Sequence, residues 1–124
     1  MISNNMYNGI NILSKSLNAS LMRHNVISEN IANEDTPGYK RKDVKFEGLL
    51  QEALLSNNKL SDIDINALTP QVVVDKSNLS YRLDGNNVNI DTEMTELTKN
   101  QIRFNVLVDQ VSNDFSRIKS VLSR

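Results

Sequence analysis

The last third of the chain carries its most regular pattern of apolar positions. Met94, Leu97, Gln101, Phe104, Val108, Val111, Phe115, Ile118 and Leu122 fall at alternating intervals of three and four. Such spacing puts them on one face of an α-helix, in the a and d places of a coiled-coil heptad, with Gln101 as a polar interruption. Asp91 stands where an N-cap is expected, Glu93 and Glu96 follow in the first turns, and Arg117, Lys119 and Arg124 close the other end. That charge order suits the helix dipole. The pattern predicts a helix from about Asp91 to Leu122.

The first third repeats the pattern less purely. Ile10, Leu13, Leu17, Ser20, His24, Ile27 and Ile31 keep the same spacing, with Ser20 and His24 as polar members. Ile12, Ala19, Leu21, Met22 and Val26 add apolar surface beside that seam. The predicted helix stops before Thr36-Pro37-Gly38, because proline disfavours helical geometry in its predecessor and glycine permits a turn.

The middle differs in kind. Phe46 to Leu55 reads as a short amphipathic helix, and Gln71 to Asp75 and Leu79 to Leu83 read as β-like. Asp84-Gly85 is a turn signal before Val88 and Ile90, so a β-hairpin is open there, while Asn57 to Leu68 reads as a polar loop with scattered aliphatics. The expected fold is mainly α and elongated: residues 1–36 and 91–124 pair as a coiled coil, and 37–90 form a small, irregular or β-containing middle. A helix of about 33 residues runs about 50 Å, longer than the roughly 35 Å diameter of a compact domain of this size.

Composition narrows the chemistry. Of 124 residues, 39% are hydrophobic and only 5% aromatic. The 18 Asn disfavour helix by propensity, so the apolar stripes must hold the helices. Ile102, Val106, Leu107 and Val121 lie off the seam and would stay wet in a bare two-helix hairpin. The chain is therefore expected to complete its core with neighbouring subunits. Fourteen basic against fifteen acidic residues leave a charge of −1, which gives no electrostatic reason to expect nucleic acid.

Catalytic and metal chemistry finds little support. With no cysteine, disulfides, thiolate zinc sites and thiol catalysis are excluded, and the single histidine, His24, excludes a multi-histidine metal site within one chain. On the seam, His24 reads as a core or interface residue rather than a base. The four glycines form no phosphate-binding pattern. No enzyme, cofactor or metal is expected. The basic cluster Lys40-Arg41-Lys42-Asp43-Val44-Lys45 is a solvated loop or a contact for an acidic neighbour. No apolar run approaches the ~20 residues of a membrane span, so no membrane insertion is expected, and the polar start does not read as a cleaved signal peptide.

The segment after the first helix is more specific. Ser28-Glu29-Asn30-Ile31-Ala32-Asn33-Glu34-Asp35-Thr36-Pro37-Gly38-Tyr39 resembles the signature of bacterial flagellar axial proteins, S-x-N-x-A-N-x-x-T-x-G-Y. The run from Thr36 to Phe46 and the segment Asp84-Gly85-Asn86-Asn87-Val88-Asn89-Ile90-Asp91, continuing to Asn100, look most like the proximal members of the basal-body rod family. The resemblance covers about residues 10–55 and 82–122. It marks Asn30, Ala32, Asn33, Thr36, Pro37, Gly38 and Tyr39 as family motif residues. Beside it, Asn30 and Asn33 can bond frayed carbonyls or the next turn, and Tyr39 offers a ring and an anchoring hydroxyl.

The resemblance implies a structural rod subunit that polymerises through its terminal helices, with Ile10, Leu13, Leu17, Ile27, Ile31, Met94, Leu97, Phe104, Val108, Val111, Phe115, Ile118 and Leu122 as the assembly seam. Its implied partners are other copies, other rod and basal-body proteins and the flagellar type III export apparatus, through which it would reach the periplasmic rod without signal cleavage. Another rod subunit of the same family, and a helical adaptor or secreted coiled-coil protein unrelated to flagella, stand as alternatives.

Overall fold

The computed structural model describes residues 2–76 and 82–123. Helix α1 (Ile2–Ala32) is followed by strand β1 (Lys42–Lys45), helix α2 (Glu47–Ser56), two single-turn 3₁₀ helices (Leu60–Asp62 and Ile65–Ala67), strand β2 (Gln71–Val74) and helix α3 (Ile90–Leu122). The mainly helical expectation holds: two long terminal helices flank a small mixed middle. At 33 residues, α3 is about 50 Å long. Near its start, Glu93 lies beside the end of α1, and near its finish Asp114 and Ile118 lie beside Asn5 and Ile10, so the two helices are antiparallel.

α1 is the central element, with α3 on one side and the middle segment on another. Ala19 of α1 closes on Phe46, Ile63 and Leu68, with Ile12, Leu49, Leu50, Ala53 and Ile65 packed around them. The expected short helix at Phe46–Leu55 is therefore present as α2, shifted by one residue. Within the stretch read as a polar loop, the 3₁₀ turns deliver Ile63 and Leu68 to the core.

Of the stretches read as β-like, Gln71 to Asp75 is present as strand β2, whereas nothing in the sequence pattern predicts β1. β1 lies inside the basic cluster and pairs antiparallel with β2, Lys42 opposite Val74 and Lys45 opposite Gln71. Its alternation buries Val44 and leaves Asp43 and Lys45 outside, so charged residues flank a half-buried strand. After the Asp84-Gly85 turn, residues 86–89 carry no strand and lead into α3, so the possible hairpin finds no second arm among the described residues. Most of the β-like stretch Leu79 to Leu83 lies outside the described residues, and Arg82 and Leu83 belong to the turn. α3 also starts slightly earlier than expected. Asn89 caps it, its Oδ1 accepting from the backbone N–H of Asp91 (3.0 Å) and Thr92 (3.3 Å), which leaves Asp91 in the first turn.

Candidate functional site

The motif after α1 folds as a polar latch onto the start of α3. Asn30 and Glu93 are both fully buried. The Asn30 Nδ2 donates to Glu93 Oε2 (3.0 Å) and to the Lys42 carbonyl (2.8 Å), while its Oδ1 accepts from the Lys42 N–H (2.9 Å) and the Tyr39 hydroxyl (3.1 Å). Arg41 Nε donates to the other Glu93 oxygen at 2.8 Å, and Arg41 Nη1 lies 3.8 Å from Asp75. One buried amide thus fixes α1, β1 and α3 together, and the buried carboxylate is paired and hydrogen-bonded as burial demands. Burial, reinforced by the charges of Glu29 and Glu93, holds the Tyr39 hydroxyl above its ordinary value, so it stays protonated as a donor.

Asn86 closes the other side of the latch. Its Nδ2 donates to the carbonyls of Asn33 (2.9 Å), Glu34 (2.8 Å) and Thr36 (2.9 Å), and its Oδ1 accepts from the Val88 N–H at 2.7 Å. Carbonyls of the turn that follows α1 are thereby bonded from a residue near α3. Asn33 and Thr36 bond one another at 3.1 Å, and the Gly38 N–H donates to the Asp84 carbonyl at 2.8 Å. Gly38 and Gly85 both have positive φ, +72 and +78, as this crossing of two turns requires. Ala32 ends α1 and Pro37 is exposed on the turn; neither joins the hydrogen-bond network.

The seam splits. Leu97, Phe104, Val111 and Ile118 are half-buried on α3, as are Ile10, Leu13, Leu17 and Ile31 on α1, and Ile27 is buried. The other heptad row of α3 faces outward: Met94 is 50% exposed, Val108 39%, Phe115 56% and Leu122 79%. In its place Glu93, Asn100, Leu107 and Asp114, each one residue earlier, turn toward α1. Both rows keep the three-four spacing, and polar partners decide between them. Ser20 Oγ donates to Asn100 Oδ1 (3.0 Å), and Asn100 Nδ2 donates back to the Ser20 carbonyl (2.9 Å), with both residues buried. A hydrophobicity pattern puts such residues outside; reciprocal bonds bring them in. His24, expected on the seam, is exposed at its edge near Ser20, Gln101 and Phe104.

Three of the four basic side chains of the cluster, those of Lys40, Arg41 and Lys42, are engaged inside the chain, and Lys45 is exposed. Besides the Arg41 pair, Lys42 bonds Glu29 and the Lys40 ammonium bonds the Gly85 carbonyl. From α1, the buried Arg23 holds Glu47 at the start of α2 through both guanidinium nitrogens and donates to the Val44 carbonyl at 2.9 Å. Burial alone would raise the Glu47 carboxyl, but the Arg23 hydrogen bonds and charge, with Arg103 at 3.2 Å, hold it below its ordinary value. Nothing in the sequence pattern paired Arg23 with Glu47.

Two long antiparallel helices, a motif latch at their joined end and an uncovered apolar row define a structural module. The flagella basal body rod protein family model matches residues 10–40, which hold most of α1 and the first half of the latch. Along nearly the whole chain, it is 38% identical to the flagellar basal body rod protein FlgB of Bacillus subtilis (90% of each chain covered). It is 31% identical to FlgB of Borreliella burgdorferi (96% of this chain and 98% of that one) and 30% to FlgB of Escherichia coli K12 (87% and 88%). The chain belongs to the flagellar basal body rod protein family, among its FlgB members. It is accordingly a structural subunit of the flagellar basal body rod.

Proposed function

We propose that the chain is a proximal rod subunit that polymerises through its terminal helices into the axial tube. The observation that carries this reading is the row Met94, Val108, Phe115 and Leu122, uncovered at a strict heptad spacing beside the row that pairs with α1. A helix pair of this kind presents a second seam to neighbours, and head-to-tail contacts that do not close build a tube. Ile102, Val106 and Val121, also exposed, widen that surface.

In this reading residues 1–36 and 91–124 form the helical wall and residues 37–90 brace it. The thirteen seam residues serve assembly in two groups, those on the α1–α3 contact and those on the outer row. Partners are other copies and other rod proteins, delivered through the flagellar type III export apparatus to the periplasmic rod, and the role involves no catalysis. Deletion of the gene in its own flagellated host tests the proposal. The expected result is non-motile cells whose basal bodies lack rods, restored by the wild-type chain. Normal motility and intact rods after deletion would overturn it.

A further inference from the structure

The two-stranded sheet has one satisfied edge and one open edge. The Asp75 N–H donates to the Arg41 carbonyl at 2.9 Å, which makes residues 41 and 75 a hydrogen-bonded pair. In the observed register, residues 43 with 73 and 45 with 71 are then also bonded pairs, and Lys42, Val44, Val72 and Val74 turn their backbone groups outward. On β1 those outward groups meet side chains: Asn30 takes both the N–H and the C=O of Lys42, Arg23 donates to the Val44 carbonyl, and Asp43 accepts from the Val44 N–H. On β2 the outward N–H and C=O of Val72 and Val74 have no partner among the described residues. Val72, Val73 and Val74 are also exposed along their side chains.

Such an edge invites another strand unless charge, proline or a bulge blocks it. No charged residue or proline lies within Gln71–Val74, and the nearest acid, Asp75, is engaged by Arg41. We propose that β2 pairs antiparallel with β2 of a second copy of this chain. The strand is complementary to itself in one register. With Val73 opposite Val73 of the other copy, Val72 falls opposite Val74, and all the outward backbone groups of both residues are bonded. Gln71 then faces Asp75 and Pro70 faces Lys76, so no like charges oppose each other. The result is a four-stranded sheet with β1 of each copy outermost. This contact is two-fold and closes on itself, so it cannot propagate along a polar rod. It belongs to the subunit before assembly, held as a dimer whose outer α3 rows are free.

The chain has no cysteine, which makes single-cysteine cross-linking a clean test. In the proposed register, Val73 and its counterpart form a non-hydrogen-bonded pair with Cα atoms about 4.5 Å apart, within disulfide reach. Purified Val73→Cys is expected to form a disulfide-linked dimer under mild oxidation, whereas Val72→Cys, two residues out of register with its own copy, is expected to cross-link at least about tenfold less. Val72→Pro removes an outward N–H without touching the β1 ladder. It is expected to weaken dimerisation about tenfold or more in sedimentation equilibrium, with unchanged helicity. A wild-type chain that stays monomeric at high concentration, equal cross-linking at both cysteine positions, or a dimer that survives Val72→Pro but is lost in Val108→Asp would each overturn the proposal. The last outcome would move the contact to α3 and leave the rod reading standing.

Discussion

Asn30 and Glu93 lie 63 residues apart in sequence and are joined by a 3.0 Å hydrogen bond in a site closed to solvent. One ends α1 and the other begins α3, so the antiparallel register of the two long helices is set at this point. The motif residues first met as a helix-ending signature therefore act inside the subunit. They decide how α3 leaves the turn and, through that, which row of α3 remains uncovered.

Glu93→Gln keeps the shape of the buried side chain but removes its charge from beside Arg41. Breaking one side of a buried ion pair leaves the other partner uncompensated. Since Arg41 retains Asp75 at 3.8 Å, the expected loss is about 2 kcal/mol rather than the upper end of the range. Urea unfolding followed by circular dichroism measures it. A stability within about 0.5 kcal/mol of wild type would show that the carboxylate charge is not needed there.

Asn86 offers a sharper substitution, because its amide donates to three backbone carbonyls at once. Asn86→Ala removes one donor from each of these carbonyls, which keep the Thr36 N–H, Arg82 and the Tyr39 N–H respectively, and is expected to cost about 1–2 kcal/mol. Asn86→Asp should be at least as harmful near neutral pH, since a carboxylate only accepts hydrogen bonds and would face three carbonyl oxygens. If the Asp variant melts like wild type, the role assigned to the amide is wrong.

What was legible in the sequence follows from what is local. The stripes of α1 and α3 repeat many times within one helix, so both helices could be read from spacing, although α1 begins at Ile2, eight residues before its stripe. The Leu97, Phe104, Val111 and Ile118 row could be read as well. The row beside it could not, because Glu93 and Asn100 turn inward only through partners 63 and 80 residues away. β1 was hidden for the same reason. Four residues rich in lysine read as a solvated loop, and the partner strand lies far downstream at Gln71–Val74. Asn89 and Asp91 both make acceptable caps by residue type, and only the backbone path shows that Asn89 holds that place.

Two glycines should respond in opposite directions to the same substitution. At Gly38 an added Cβ meets nothing within 4 Å, yet the backbone φ of +72 is left-handed. Gly38→Ala is therefore expected to destabilise by about 1–2 kcal/mol through backbone strain alone. Gly48 lies in α2 with equally open space and ordinary φ. Gly48→Ala is expected to stabilise by about 0.5 kcal/mol. Thermal melts of the two variants should bracket wild type, and a stabilised Gly38→Ala would contradict the turn geometry.

The Arg23–Glu47 pair sets an acid limit. The Glu47 carboxyl titrates below its ordinary value of 4.5 in the folded chain, so the unfolded chain binds its proton first as pH falls. The stabilisation is present above pH 4.5 and is lost as pH drops through the lower folded value. Glu47→Gln should therefore flatten the decline of stability below about pH 4.5 while lowering stability at pH 7. Because the Glu47 side chain is partly exposed, the neutral-pH loss should shrink in high salt. An unchanged acid profile would remove this pair from the list of groups that fail in acid.

Adjacent residues on α3 separate folding from assembly. Leu107 is half-buried toward α1, whereas Val108 faces outward. Leu107→Asp forces a carboxylate against the helix pair and is expected to destabilise the isolated chain by about 2 kcal/mol or more. Val108→Asp and Phe115→Asp sit on the uncovered row and should change its stability by less than about 1 kcal/mol. Both outer variants are nevertheless expected to abolish swimming and to leave basal bodies without rods, because a charge is placed where a neighbouring helix must close. Unfolding curves and soft-agar motility read the two properties independently. Wild-type swimming by Val108→Asp and Phe115→Asp would show that the outer row is not an assembly surface, whatever the stability of the subunit.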